Sequence, residues 1–284
     1  MKQRPLVSAL TRITLFFLLA LPLSAASNDD KVKLQGHSVQ GGLLFGTTVP
    51  GATVSLDDQS IPVSAEGLFV IGFGRDETGA RLLQVALPGG KQLEMRLAVT
   101  KRDFSIEHVD GLPPSRVTPD PSVMERIRAE GDMVKRARGR RDNIASYASG
   151  FSWPASGRLS GFYGSQRILN GEPRNPHYGL DIAAPEGTPV YAPAPGLITL
   201  THKDMYYSGG TIILDHGQGL SSSFLHLSEI LVETGTRVKT GDLLGRIGAT
   251  GRATGPHLDW RMSWHNRRVD PQLLLPEQST GLSE

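Results

Sequence analysis

From Phe151 to about Leu275 the chain never runs far without a glycine or proline turn, and the stretches between, such as GTIILDHG and TPVYAPAPGLITLT, are short and rich in β-branched residues. Runs of this kind bounded by turn residues form strands and leave no place for a long helix. The region 151–275 is therefore expected to be a β unit, followed by a tail at 276–284. Earlier in the chain, ATVSLDD, GLFVIGF, ARLLQVAL and QLEMRLAV repeat the pattern between Lys31 and Phe104. That spacing predicts a second, smaller antiparallel unit, a β-sandwich over residues 27–110. The fold class expected is all-β.

The two units are joined by residues 111–150. The connector GLPPSRVTPDP, Gly111 to Pro121, holds four prolines and can continue neither a helix nor a central strand. Ser122 to Arg141 then reads as a helix, with Ser122 as N-cap, Glu125 completing a capping box, and Met124, Ile127, Met133 and Val134 as contact positions. It carries seven basic and three acidic residues. A solvated basic linker is the expectation, with contact to an anionic wall polymer or phospholipid as the sharper alternative.

Lys2, Arg4 and Arg12 precede the apolar run Ile13 to Leu23, and Ser24-Ala25-Ala26 follows. This is the pattern of a secretory signal peptide at residues 1–26, because eleven apolar residues fall short of the ~20 that span a bilayer. Export is expected, with no transmembrane segment after cleavage. Without these three cations, 30 basic against 28 acidic residues becomes 27 against 28, so the charge gives no reason to expect nucleic acid as a partner. The chain has no cysteine, so any metal must be held by histidine, aspartate or glutamate.

Six of the eight histidines follow Pro176. In PHYGLDIAAP, His177 and Asp181 stand four apart on a loop entering a strand. In GPHLDW, His257 and Asp259 stand two apart, on one face of a strand. In SSSFLHLSEI, His226 lies on a further strand. A zinc site without cysteine needs nitrogen and carboxylate ligands and, for catalysis, an open position. Arg167, Asn170 and Arg174, in the loop before His177, are candidates for a substrate groove, and His216 in DHGQG for a turn beside it.

The run HYGLDIAAPEGTPVYAPAPG, followed by DHGQG, FLHL, VKTGDLLGRIGATGRATGPHLDW and VDP, resembles the lysostaphin/LytM-type zinc metallopeptidases of bacterial cell walls. The sandwich and basic helix resemble two-domain Gram-negative members, which together with the signal-peptide pattern implies residence in the periplasm. The resemblance implies a β-barrel or sandwich peptidase domain with a groove that cleaves peptide cross-links of peptidoglycan, and one Zn²⁺ per chain. It implies that His177 and Asp181 bind metal and that His226 and His257 are catalytic. The third ligand of the family is histidine; here that position is Asp259. Aspartate is a legitimate ligand, and an oxygen-rich set suits other divalent ions too. Two carboxylates would neutralise a divalent ion that two imidazoles and one carboxylate leave at +1, making it less electrophilic. The alternative is a catalytically impaired domain that binds cell wall and activates an amidase, or works with division or elongation machinery.

Overall fold

The computed structural model describes residues 31–109, 121–169 and 171–276. The expected signal peptide, all but the last residue of the proline connector, and Asn170 lie outside the described residues. Among the described residues no helix is long and apolar enough to cross a membrane.

The N-terminal part is a pair of antiparallel sheets. One has the order β1–β2–β5, from Val32–Gly36, Leu43–Thr48 and Leu68–Gly72. The other has the order β4–β3–β6–β7, from Gln59–Ile61, Thr53–Leu56, Gly79–Ala86 and Gln92–Val99. Leu43, Val54, Leu56, Phe69, Ile71, Leu83 and Val85 are buried in their core. Most strands of the sandwich alternate, but Phe69, Val70 and Ile71 in β5 are all fully buried. The reason is that this sheet is covered on both sides, by the second sheet and by the C-terminal part. Gly72 backs onto Trp264, where a Cβ would collide with the indole, and Gln218 donates to the Leu68 carbonyl.

One strand leaves the sandwich altogether. β8, Ile106–Val109, pairs in parallel with β10, Gln166–Leu169, which forms a hairpin with β11, Glu172–Pro173. This small sheet joins the sandwich to the loop that leads into His177.

The C-terminal part is one ten-stranded sheet. Its strands are β9 (Arg158–Gly161), β12 (Leu180–Ala183), β13 (Pro189–Tyr191), β14 (Gly196–Met205), β15 (Gly209–Gly217), β16 (Leu220–Ile230), β17 (Arg237–Val238), β18 (Leu243–Ile247), β19 (His257–Trp264) and β20 (Arg267–Val269). The main path runs β17–β14–β15–β16–β19–β12–β9, and it does not close into a barrel. Leu258, Trp260, Met262 and Trp264 of β19 alternate into a core shared with the sandwich.

The helix departs from expectation in three ways. A short 3-10 turn, Pro121–Val123, precedes α1, Met124–Ala137, so Ser122 is not the N-cap; Val123 holds that position and makes no side-chain cap. The helix ends at Ala137, short of Arg141. It is also docked, with Met133, Val134 and Ala137 packed on Leu200, Met205 and Ile213, so it covers one face of β14 and β15 and is no solvated linker. Part of its charge is met within the molecule, Arg126 by Glu130 and Asp204.

Candidate active site

Asp181 and Asp259 are direct cross-strand partners in the β12–β19 pair, so both carboxylates project from the same face. Like charges directly opposite each other destabilise a sheet unless a cation lies between them. His177 comes off the loop before β12 to meet both. Its Nε2 is 3.1 Å from Asp181 Oδ1 and 3.7 Å from Asp259 Oδ2. Backbone bonds brace that loop, from His177 N–H to the Ser165 carbonyl at 2.7 Å and from Gly164 N–H to the His177 carbonyl at 2.8 Å. Two glycines clear room for the carboxylates: a Cβ at Gly161 would strike the Asp181 side chain, and one at Gly179 would strike Asp259 Oδ1.

These residues suit a divalent metal. One ligand atom from each of His177, Asp181 and Asp259 lies within 4.8 Å of the others. Tetrahedral zinc with bonds near 2.0–2.1 Å sets its ligand atoms about 3.3 Å apart, between the two measured separations. Burial opposes charge on His177, but its bonds to Asp181 and Asp259 outweigh that and raise it to about 10, so a proton competes with a metal for Nε2.

Asp259 is also held from the other side. Arg261 Nε lies 3.0 Å from both Asp259 oxygens, and Arg261 Nη2 is 2.5 Å from Oδ2. Burial works to raise the Asp259 carboxyl, and Arg261 and His177 together hold it well below the usual carboxylate range. Oδ2 has two lone-pair sites, so the guanidinium and a metal can share it. Arg261 was not anticipated from the sequence, although its place two beyond Asp259 on a strand puts it on the same face.

His226 reaches the site through an irregularity. Leu220, Ser222 and Phe224 face the core along β16, and strict alternation would send His226 after them. Instead His226 adopts φ of 66°, rare for a residue with a side chain, and its ring sits 4.8 Å from that of His257. Both rings donate Nδ1–H to a backbone carbonyl, His226 to Thr250 and His257 to Gly255, each at 2.8 Å. Nε2 of each is therefore the atom left for chemistry. Burial holds His226 below the ordinary imidazole value, so it is neutral at pH 7.

His216 is not in the groove. It is fully buried on the core face of β15, beside Phe151, donating from Nδ1 to the Pro195 carbonyl and accepting at Nε2 from the Ser222 hydroxyl, both at 2.8 Å. Burial lowers it to about 4. The groove candidate Arg167 lies on β10, and Arg174 directly follows β11 with its carbonyl taken by the Gln166 side chain. That hairpin leads directly to His177.

Comparison with known proteins places this site in context. Peptidase family M23 matches residues 175–271. The chain is 41% identical over 95 residues to peptidoglycan DD-endopeptidase ShyA of Vibrio cholerae, covering 34% of this chain and 22% of that protein. It is 39% identical over 95 residues to DD-carboxypeptidase/endopeptidase Mpg of Neisseria meningitidis, with the same coverage of 34% and 22%. The chain thus spans about a fifth of the length of these curated relatives. The crystal structure of a Pseudomonas aeruginosa protein assigned to peptidase M23 superposes with a TM-score of 0.64 at 32% identity, covering 84% of this chain and 94% of that one. That likeness takes in the sandwich as well as the C-terminal sheet.

Proposed function

The chain belongs to peptidase family M23, and from that membership we propose that it is a metal-dependent endopeptidase hydrolysing peptide cross-links of peptidoglycan. The observation that carries this reading is the meeting of two cross-strand carboxylates with one imidazole, beside two histidines whose Nε2 atoms are free. His177 Nε2 and carboxylate oxygens of Asp181 and Asp259 would hold one Zn²⁺, or another divalent ion. Such an ion supplies Lewis acidity toward a peptide carbonyl and lowers the pKa of water.

The rest falls to the chain's own side chains. His226, neutral and with Nδ1–H committed to a carbonyl, can accept a proton at Nε2; His257, whose Nδ1–H is likewise committed, can take up a proton from the attacking water at Nε2 and then donate it to an oxyanion or pass it to a leaving amine. Arg261 repairs the charge count. Two carboxylates, one guanidinium and a divalent ion sum to +1, as do one carboxylate, two imidazoles and the same ion. The N-terminal basic, apolar and small-residue pattern supports export to the periplasm, where the wall substrate lies.

A second reading is favoured by one observation. Because Arg261 already engages both Asp259 oxygens, the site could be closed to metal and the domain could serve as a wall-bound activator of an amidase. Elemental analysis separates the two. The enzyme reading expects about one zinc per chain, lost in Asp259→Ala, and release of muropeptides from purified sacculi that a chelator or His257→Ala abolishes. Absence of zinc in the wild type, with zinc gained in Asp259→His and amidase stimulation surviving His177→Ala, would overturn it.

A further inference from the structure

Beyond Asp259 the same face of the sheet gathers arginines. Arg261 lies on β19 directly opposite Ser223 of β16, and Ser263, two residues further along, lies opposite both Ser221 of β16 and Arg268 of β20. Arg138, just past the end of α1, reaches down to this face and donates to Ser223 Oγ at 2.7 Å. Arg268 donates to Ser263 Oγ at 2.8 Å. Cross-strand and i,i+2 neighbours on one face are close, so three guanidinium groups gather around one spot.

Only Arg261 has a carboxylate. Among the described residues Arg138 and Arg268 have hydroxyl partners and no acidic group at ion-pair distance. Two donors here are unmatched: Ser221 Oγ, on a side chain 3% exposed, and Arg138 Nε are both buried without a hydrogen-bond partner. Ser221 adjoins Ser223, which holds Arg138, and Ser263, which holds Arg268. Burial and the neighbouring guanidinium groups lower Arg138 well below its usual value and Arg268 to about 10. The carboxylate of Asp215, directly opposite Ser221 on β15, is already paired with Arg140 at 2.9 Å, so it leaves Arg138 and Arg268 unmatched, an arrangement that is costly for the protein alone and is relieved by an anion.

We propose that Arg138, Arg268 and Ser221 form a receptor for a carboxylate on the peptide substrate, two to four residues along β19 from the metal cluster. The spacing follows from β geometry: Ser263 is four residues beyond Asp259, and an extended peptide lying along the strand advances at about the same 3.3 Å per residue. A carboxylate fits because arginine forks match its planar pair of oxygens. The proposal rests on the peptidase reading for its substrate, and it gives the basic segment after α1 a part in recognition.

The test is binding of a labelled tetrapeptide with a free carboxylate against the identical carboxamide, by fluorescence anisotropy on the full chain. The carboxylate form is expected to bind about ten-fold or more tighter. Arg138→Gln and Arg268→Gln are each expected to bring that ratio toward one, and Arg138→Lys to keep part of it. The lysine variant preserves the charge if the glutamine change harms folding, which circular dichroism monitors. Equal binding of the two peptides by the wild type, or an unchanged ratio in both glutamine variants, would overturn the proposal. Inorganic phosphate competing as well as the carboxylate peptide would also overturn it, marking a general anion site. Hydrolysis of sacculi is read separately: lost hydrolysis with an intact ratio refutes the peptidase reading and leaves the receptor standing.

Discussion

The two faces of β19 could hardly differ more. Leu258, Trp260, Met262 and Trp264 are fully buried in an apolar core, while His257, Asp259, Arg261 and Ser263, one residue out of step, carry the candidate chemistry. One face holds the fold together. The other gathers charges that the fold must tolerate, and it can do so because the first is so well packed.

The contrast is broken most severely from the core side. Trp260→Ala is expected to cost about 3–5 kcal/mol, read by urea denaturation, because no neighbour can fill the space left. His216 sharpens the comparison, being a titratable group on the apolar face of β15. Its folded value of about 4 lies below the ordinary 6.5, so the unfolded chain takes up the proton first. Stability attributable to it is full above pH 6.5 and is lost as pH falls toward 4, by about 3 kcal/mol in total. A His216→Gln variant should show a shallower decline across that window.

On the charged face the expected effects are smaller and strongly coupled. Asp259→His leaves Arg261 without its carboxylate and should cost about 1–3 kcal/mol, while Asp259→His with Arg261→Gln should cost less than the two separate changes summed. Chemical denaturation of all four proteins completes that cycle. The smallest change lies on the exposed side of α1: Arg126→Ala removes its pairs with Glu130 and Asp204 from an exposed guanidinium, and in thermal melts it should move the midpoint least of these variants.

Much of the fold and of the site is legible in the residues themselves. The spacing of His257 and Asp259 put both on one strand face, and glycine-bounded apolar runs announced the two β units. The orientation of His226 could not be read, since nothing in FLHL signals a left-handed backbone inside a strand. His216 looked like a turn residue because it sits in DHGQG, yet the strand runs through it and its parity sends it inward. The basic helix looked solvated because its charge count was visible, whereas Leu200, Met205 and Ile213, against which it packs, lie some sixty or more positions further along. Ser122 had the right chemistry for a cap, but a 3-10 turn moved the helix start past it.

The pairing of Asp181 with Asp259 bears on how the molecule assembles. These partners stand about eighty positions apart in the chain, and the strands that separate them in sequence include β16, which pairs with β19. Loop closure over that distance is not rewarded until most of the sheet exists. In an unfolded chain His177 and Asp181 are four apart while Asp259 is far along the sequence, so the three meet only when β12 pairs with β19, a late step if the rest of the sheet must form first. Metal is thus expected to slow unfolding while leaving the folding rate almost unchanged, a split that the two limbs of a chevron plot with and without zinc would reveal. The ion would act as a latch closed after assembly and would take no part in nucleating the fold.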